Sequence, residues 1–240
     1  MDDAVIAAMQ RWPQVPDVHG WLSLDARGTW RLHEGGDAAL GTPGRPITNQ
    51  RIIAFINRNY ASADDGSWYF QNGPQRVFVH LAAAPYVIRV AADRSALETH
   101  TGQRIEKVDA WFLTTDGSLY AATSLGGAIV LDRHLEDVMQ HLFATTGQPL
   151  LDVLADMSDS DAAAAPVSCV HPPTIVAPTE APAAAPPATG GSGHAWLMAG
   201  GFNLPLAPVR WVAPGQIPEI LRFRRAPYPG SACSGCNQAN

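Results

Sequence analysis

Polar turn signals come at short, irregular intervals through the first half of the sequence, and most are flanked by aromatic or β-branched runs. They are Asp25 to Gly28 in LDARGTW, Asp64-Asp65-Gly66 in ADDGSWY, Asn72-Gly73-Pro74 in FQNGPQRVFVH and Asp116-Gly117 in TTDGSLY. Glycine takes the positive φ that tight hairpin turns need, while Asp and Asn bond back to the turn backbone. A chain punctuated in this way leaves little room for long helices and favours short antiparallel strands joined by hairpins. Three of these signals share the order Asp, Gly, then an aromatic residue or Leu-Tyr. Their spacing is uneven, so common turn chemistry accounts for them better than a tandem repeat.

Between the turns the apolar spacing places the elements. Residues 4–12 read as a helix through Val5, Ile6, Met9 and Trp12, ended by Pro13 and Pro16. Residues 20–25 and 29–33 read as a hairpin, 34–46 as a Gly- and Pro-rich loop, and 49–60 as a helix capped by Thr48. Strands follow at 67–71, 76–81 and 86–90, then a hairpin of 105–115 with 118–123, and a last strand at 128–131. Asp132 opens a helix through about Ala144, and Pro149 a shorter one that fades near Met157. The expected fold is α+β over residues 1–157: a mostly antiparallel sheet of six to eight strands built from hairpins, with three or four short helices.

From Ser158 to Gly193 the composition shifts to Ala, Pro, Ser, Thr and Gly, with APTEAPAAAPPATGGSG at its centre. Such a stretch buries too little to offset its chain entropy and reads as a disordered, extended linker. Residues 194–240 carry Trp196, Phe202, Trp211, Ile217, Leu221 and Phe223 but are too short and proline-studded for an independent domain. They are expected to pack on the main domain or on a partner.

The net charge is −6, from 16 Lys and Arg against 22 Asp and Glu, and Lys107 is the one lysine. A phosphate-tracking surface for nucleic acid is disfavoured by this balance. No run approaches the apolar length of a membrane helix, and Asp2 and Asp3 stand where a secretory leader would be basic. The expectation is a soluble, cytoplasmic protein with neither nucleic-acid nor membrane partner.

Three constellations can carry chemistry. Cys233 and Cys236 form a CxxC pair, and with Cys169 and His171 they supply the four ligands of a structural zinc site, or else a redox-active pair, or neither. The hairpin FQNGPQRVFVH gathers Gln71, Asn72, Gln75, Arg76 and His80, with Asn57 and Arg58 of FINRNY near enough in sequence to face it. A small anionic ligand held by Arg76 fits this group. The plainer alternative is that Asn72 and Gln75 satisfy turn backbone while Arg76 pairs with Asp64 or Asp65. His134, Asp137 and His141 fall opposite the apolar stripe of their helix, where a solvated surface is the simpler reading than a metal or general-base site. No nucleophile elbow, phosphate loop, dinucleotide fingerprint or calcium loop is present.

At IIAFINRNY followed by GSWYFQNGPQRVFVHL the sequence resembles a family of bacterial, mostly proteobacterial, proteins known only as a domain of unknown function, over about residues 1–155. The resemblance implies a bacterial, cytosolic protein and brings no activity, ligand or catalytic residue. Taken together, the expected function is a binding or interaction module for a small polar ligand or a protein partner. The alternative is a metal-binding or thiol-redox protein using Cys169, His171, Cys233 and Cys236. An enzyme using His80, or His134 and His141, as general base is the weakest reading, because no nucleophile can be named.

Overall fold

The computed structural model describes residues 1–156 and 197–227. Cys169, His171, Cys233, Cys236 and the Pro/Ala-rich stretch lie outside the described residues. The first part of the chain supplies helix α1 (Asp3–Arg11), strands β1 (Val18–Leu24), β2 (Trp30–Leu32) and β3 (Arg45–Pro46), helix α2 (Gln50–Arg58), and strands β4 (Tyr60–Ser62), β5 (Trp68–Asn72) and β6 (Gln75–Leu81). Then come β7 (Tyr86–Val90), β8 (Leu97–Thr99), β9 (Val108–Thr114), β10 (Leu119–Thr123) and β11 (Gly126–Val130). Helix α3 (Leu135–Gln140), strand β12 (Phe143–Ala144) and helix α4 (Leu150–Asp156) follow, and after the gap β13 (Leu197–Gly200), β14 (Ala207–Val212) and helix α5 (Ile217–Ile220).

The class is α+β, but the strands form two sheets rather than one. Six strands run in the order β3-β2-β1-β6-β5-β4, and eight in the order β12-β13-β14-β9-β10-β11-β7-β8. Both sheets are mixed: hairpin neighbours pair antiparallel, while β1 with β6, β7 with β11, and β9 with β14 pair parallel. Turn signals reveal which strands are hairpin partners. They carry nothing about parallel pairs between strands remote in sequence, which is where the single-sheet expectation fails.

The turns behave as their chemistry dictates. Asp25 Oδ1 accepts from the Arg27 and Thr29 amides at 3.0 and 2.9 Å, Asp65 Oδ1 from Ser67 at 2.9 Å and Asp116 Oδ1 from Ser118 at 3.2 Å. A further turn of this kind was not expected: Asp93 Oδ1 accepts from the Ser95 amide at 3.0 Å. Between them Arg94 adopts φ 58°, the left-handed conformation that Gly66 and Gly117 take in the equivalent place.

Two helical details depart from expectation. The cap of α2 is Asn49, not Thr48: its Oδ1 accepts from the Arg51 and Ile52 amides at 3.0 and 3.4 Å. The helix after Asp132 is shorter than its apolar stripe suggested. It opens as a 3-10 turn over Asp132–His134 and ends at Gln140, and Phe143 and Ala144 become β12, paired with Gly200 and Ala199 of the distant β13.

The C-terminal part belongs to the body of the fold. β14 lies beside β9 with Val209 opposite Trp111 and Trp211 opposite Leu113. After α5, Leu221 and Phe223 are buried against Gly127, where an added Cβ would approach the Leu221 Cβ to 2.9 Å. The chain then reaches the other sheet: Arg224 N donates to Gly66 O and Leu81 N to Arg225 O, both at 2.8 Å.

One core joins the sheets. Trp30, Tyr60 and Trp68 of the six-stranded sheet meet Tyr86 of β7 and His100 beyond β8. Their ring centroids are 4.8 to 6.2 Å apart, and the tyrosine and tryptophan pairs cross mostly edge to face. No helix of the described residues is long and apolar enough to cross a membrane.

Candidate functional site

Where the end of α2 and strand β4 approach β7 and the loop after β8, a cleft of about 400 Å³ opens over the aromatic cluster. Its walls are Asn57 and Arg58 from α2, Tyr60, Tyr86, and Thr101 and Gln103 from the β8–β9 connection, with Met1 and Asp2 across the mouth. The size suits a small ligand, and the wall combines two largely buried tyrosines with a few convergent polar groups. Both sheets contribute, so the cleft exists only when they are docked.

Each polar group has a fixed duty and a remaining valence. Asn57 Oδ1 accepts from Trp30 Nε1 at 2.8 Å, which turns the amide nitrogen of Asn57 toward other acceptors. Tyr60 donates its hydroxyl to Pro85 O at 3.1 Å. Burial holds the Tyr60 phenol well above its ordinary range and raises that of Tyr86, so both stay neutral hydrogen-bonding groups. Gln103 Nε2 donates to Thr101 Oγ1 at 3.1 Å, and its side chain reaches the Tyr86 hydroxyl. At the mouth, Arg58 forks onto Asp2, with Nε to Oδ1 at 3.0 Å and Nη2 to Oδ2 at 3.1 Å. This pairing, with its hydrogen bonds, lowers the Asp2 carboxyl below its ordinary value and raises the guanidinium.

The residues singled out in the sequence separate into two places. Asn57 and Arg58 line the cleft. The β5–β6 hairpin residues do not line it. Gln71 is buried and donates to Gly73 O at 2.9 Å, Gln75 donates to Pro16 O at 3.0 Å, and Asn72 is exposed at the turn. Arg76 lies over the Tyr69 ring at 5.0 Å, a cation–π contact, and not against Asp64 or Asp65. His80 is half-buried on the same sheet face; burial holds its imidazole below the usual histidine range, and nearby His33 and His19 add to this.

His134, Asp137 and His141 each serve a different neighbour. His134 Nδ1 accepts from the Val90 amide at 3.1 Å, Asp137 pairs with Arg94 at 2.7 Å, and His141 Nδ1 bonds to the Asp137 carbonyl at 2.7 Å while its ring stacks on Phe202. They hold structure and do not converge. Among the described residues no group of three or more His, Cys, Asp or Glu is arranged to hold a metal ion.

One arrangement has the order of a nucleophile, base and carboxylate. Ser23 Oγ lies 2.8 Å from His33 Nε2, and His33 Nδ1 lies 2.9 Å from Thr42 Oγ1 and 3.6 Å from Asp37 Oδ1. The His33 side chain is only 1% exposed, and Gly44 backs its Nε2 edge so closely that a Cβ there would stand 2.7 Å away. No reacting atom has room beside that nitrogen. The set acts as a clamp that fastens the loop before β3 to the sheet.

Tyr60, Tyr86, Thr101 and Gln103 were not found by sequence reasoning. Nothing local distinguishes them: Tyr60 reads as the end of the helix 49–60, which in fact stops at Arg58 with Tyr60 opening β4, Tyr86 reads as a strand aromatic, and Thr101 and Gln103 lie in a segment without a motif. Only the docking of two sheets brings them to Asn57.

Among solved structures, similarity is found to a DUF1285 family protein from Shewanella baltica OS155, 20% identical, over 50% of this chain and 90% of that one, with a TM-score of 0.35. A DUF1285 family protein from Silicibacter pomeroyi DSS-3 is 15% identical over 59% of this chain and 86% of that one, with a TM-score of 0.37. Likeness at this level transfers neither site nor activity. No curated protein matches the chain. The family model described as "Protein of unknown function (DUF2946)" matches residues 1–180, three quarters of the sequence, and the chain belongs to that family.

Proposed function

We propose that the protein is a binding module and that the cleft between its two sheets holds a small polar ligand. The observation that carries this reading is the convergence of Asn57, Arg58 and Gln103, drawn from both sides of the inter-sheet boundary, on a wall formed by Tyr60 and Tyr86. Polar groups on rigid elements orient a ligand without a large entropic cost. The β5–β6 hairpin supports the reading less well, because the Gln71 and Gln75 amide nitrogens bond to backbone carbonyls and Arg76 lies over Tyr69.

The test is a thermal-shift screen of the full chain against small polar metabolites, repeated with Asn57→Ala and Gln103→Ala. Compounds that stabilise the parent and not the variants support the cleft. Stabilisation that survives both substitutions, or is abolished instead by Arg76→Ala, places binding elsewhere.

A further inference from the structure

The carboxylate of Asp2 sits in a receptor. It accepts from Arg58 Nε and Nη2, and Asn59 Nδ2 lies 3.3 Å from its Oδ2, while the Asp2 amide donates to Asn59 Oδ1 at 2.8 Å. The guanidinium fork is the geometry that recognises a carboxylate in two-point contact. It stands at the mouth of the cleft, within the same wall as Asn57 and the two tyrosines.

The segment that delivers Asp2 is lightly held. In α1 only Val5 is buried, while Met1, Ile6 and Trp12 are 47%, 41% and 51% exposed. The Arg58–Asp2 pair is itself open to solvent, at 57% and 30% side-chain exposure, and ion pairs of this kind are weak and readily exchanged. Asn59, by contrast, is 1% exposed, and its amide also donates to Phe55 O at 2.9 Å, so the receptor stays in place when its occupant leaves.

From these observations we infer that the ligand of the cleft is a small carboxylic acid, whose carboxylate takes the place of Asp2 on Arg58. The inference rests on the cleft reading above and names its ligand class. The remainder of such a ligand enters the cleft toward Asn57, whose amide nitrogen makes no hydrogen bond among the described residues and faces a further acceptor. Asp2 is then an internal competitor. A competitor that holds Arg58 for part of the time lowers the apparent affinity by the fraction of time that Arg58 is open.

Isothermal titration of the full chain with benzoate, with benzamide as the uncharged comparison, tests this. Benzoate is expected to bind and benzamide to bind at least tenfold more weakly. Asp2→Ala should tighten benzoate severalfold, and Arg58→Gln should abolish the preference for benzoate over benzamide. Arg58 is exposed and Asp2 half-buried, and an unchanged near-ultraviolet circular dichroism spectrum of each variant shows that the fold is retained. Equal binding of the two probes, or a benzoate affinity unmoved by either substitution, overturns the carboxylate assignment. In that case binding that remains sensitive to Asn57→Ala leaves the cleft itself standing, whereas binding by no compound of the metabolite screen removes both readings.

Discussion

At the residue scale, Arg94 shows how a single substitution hides a motif. Asp65-Gly66-Ser67 and Asp116-Gly117-Ser118 are legible because glycine marks the positive φ, and Asp93-Arg94-Ser95 makes the same turn with arginine there. The side chain gains a pairing with Asp137 at 2.7 Å, which ties this turn to α3. Strand β8 follows directly and was missed with it. Asn49 is a similar case. Thr48 and Asn49 both have capping chemistry, and only the backbone decides which side chain meets the amides. Asn49→Ala should cost about 1 kcal/mol in urea denaturation and Thr48→Ala a few tenths at most; equal costs would show that the cap is not what Asn49 supplies.

His100 is the residue with a pH signature. It is buried among Trp30, Tyr60 and Tyr86, its Nδ1 accepts from the Val87 amide at 3.3 Å, and its Nε2 makes no hydrogen bond among the described residues. Burial, with Arg89 nearby, pushes its pKa down to about 3 from an ordinary 6.5. The unfolded chain therefore takes up a proton below pH 6.5 that the folded chain refuses. Stability from this group is full above pH 6.5 and falls as pH drops toward 3, by about 1.4 kcal/mol per unit. Between pH 7 and 5 the parent should lose about 2 kcal/mol by this route. His100→Phe, whatever its absolute stability, should remove that part of the slope, and a slope unchanged by the substitution would mean that His100 is protonated in the folded state.

At the element scale, the hairpins were legible and their assembly was not. β1 with β2, β5 with β6, and β9 with β10 follow from turn residues between alternating or aromatic runs. The short edge strands β4 and β8 carry three residues each, too few for a period to show. The end of α3 was misplaced because Phe143 fits the helical stripe and is claimed instead by pairing with β13. The same long-range pairing makes the C-terminal segment part of the core. Phe223 is 4% exposed against Gly127, so Phe223→Ala should lower the unfolding free energy by about 3 kcal/mol or more. A loss below about 0.5 kcal/mol would show that the segment after β14 is not packed as described.

At the scale of the whole molecule, the two sheets make a core neither could close alone, and the cleft is a by-product of how they meet. Its polar wall comes from α2 and the β8–β9 connection, more than forty residues apart in sequence, and its tyrosines from different sheets. Asn57 and Arg58 could be picked out because they stand together as polar residues in FINRNY. Their partners could not, since the facing surface depends on parallel pairs and sheet docking that no local pattern encodes. In the hairpin that looked richest, Gln71 serves its own turn, Gln75 reaches back to Pro16 and Arg76 lies over Tyr69, and none of them lines the cleft. Density of hydrogen-bonding residues in sequence therefore marked a turn, while the cleft lies where distant segments converge.

The most direct test of the cleft is a chemical-shift map of the isotopically labelled full chain, titrated with whichever compound of the metabolite screen stabilises it most. Binding as described moves the signals of Asn57, Arg58, Tyr60, Tyr86, Thr101 and Gln103 together, and leaves those of Arg76 and His80 in place. Perturbations that cluster on the β5–β6 hairpin, or that leave the inter-sheet residues unmoved, would contradict it.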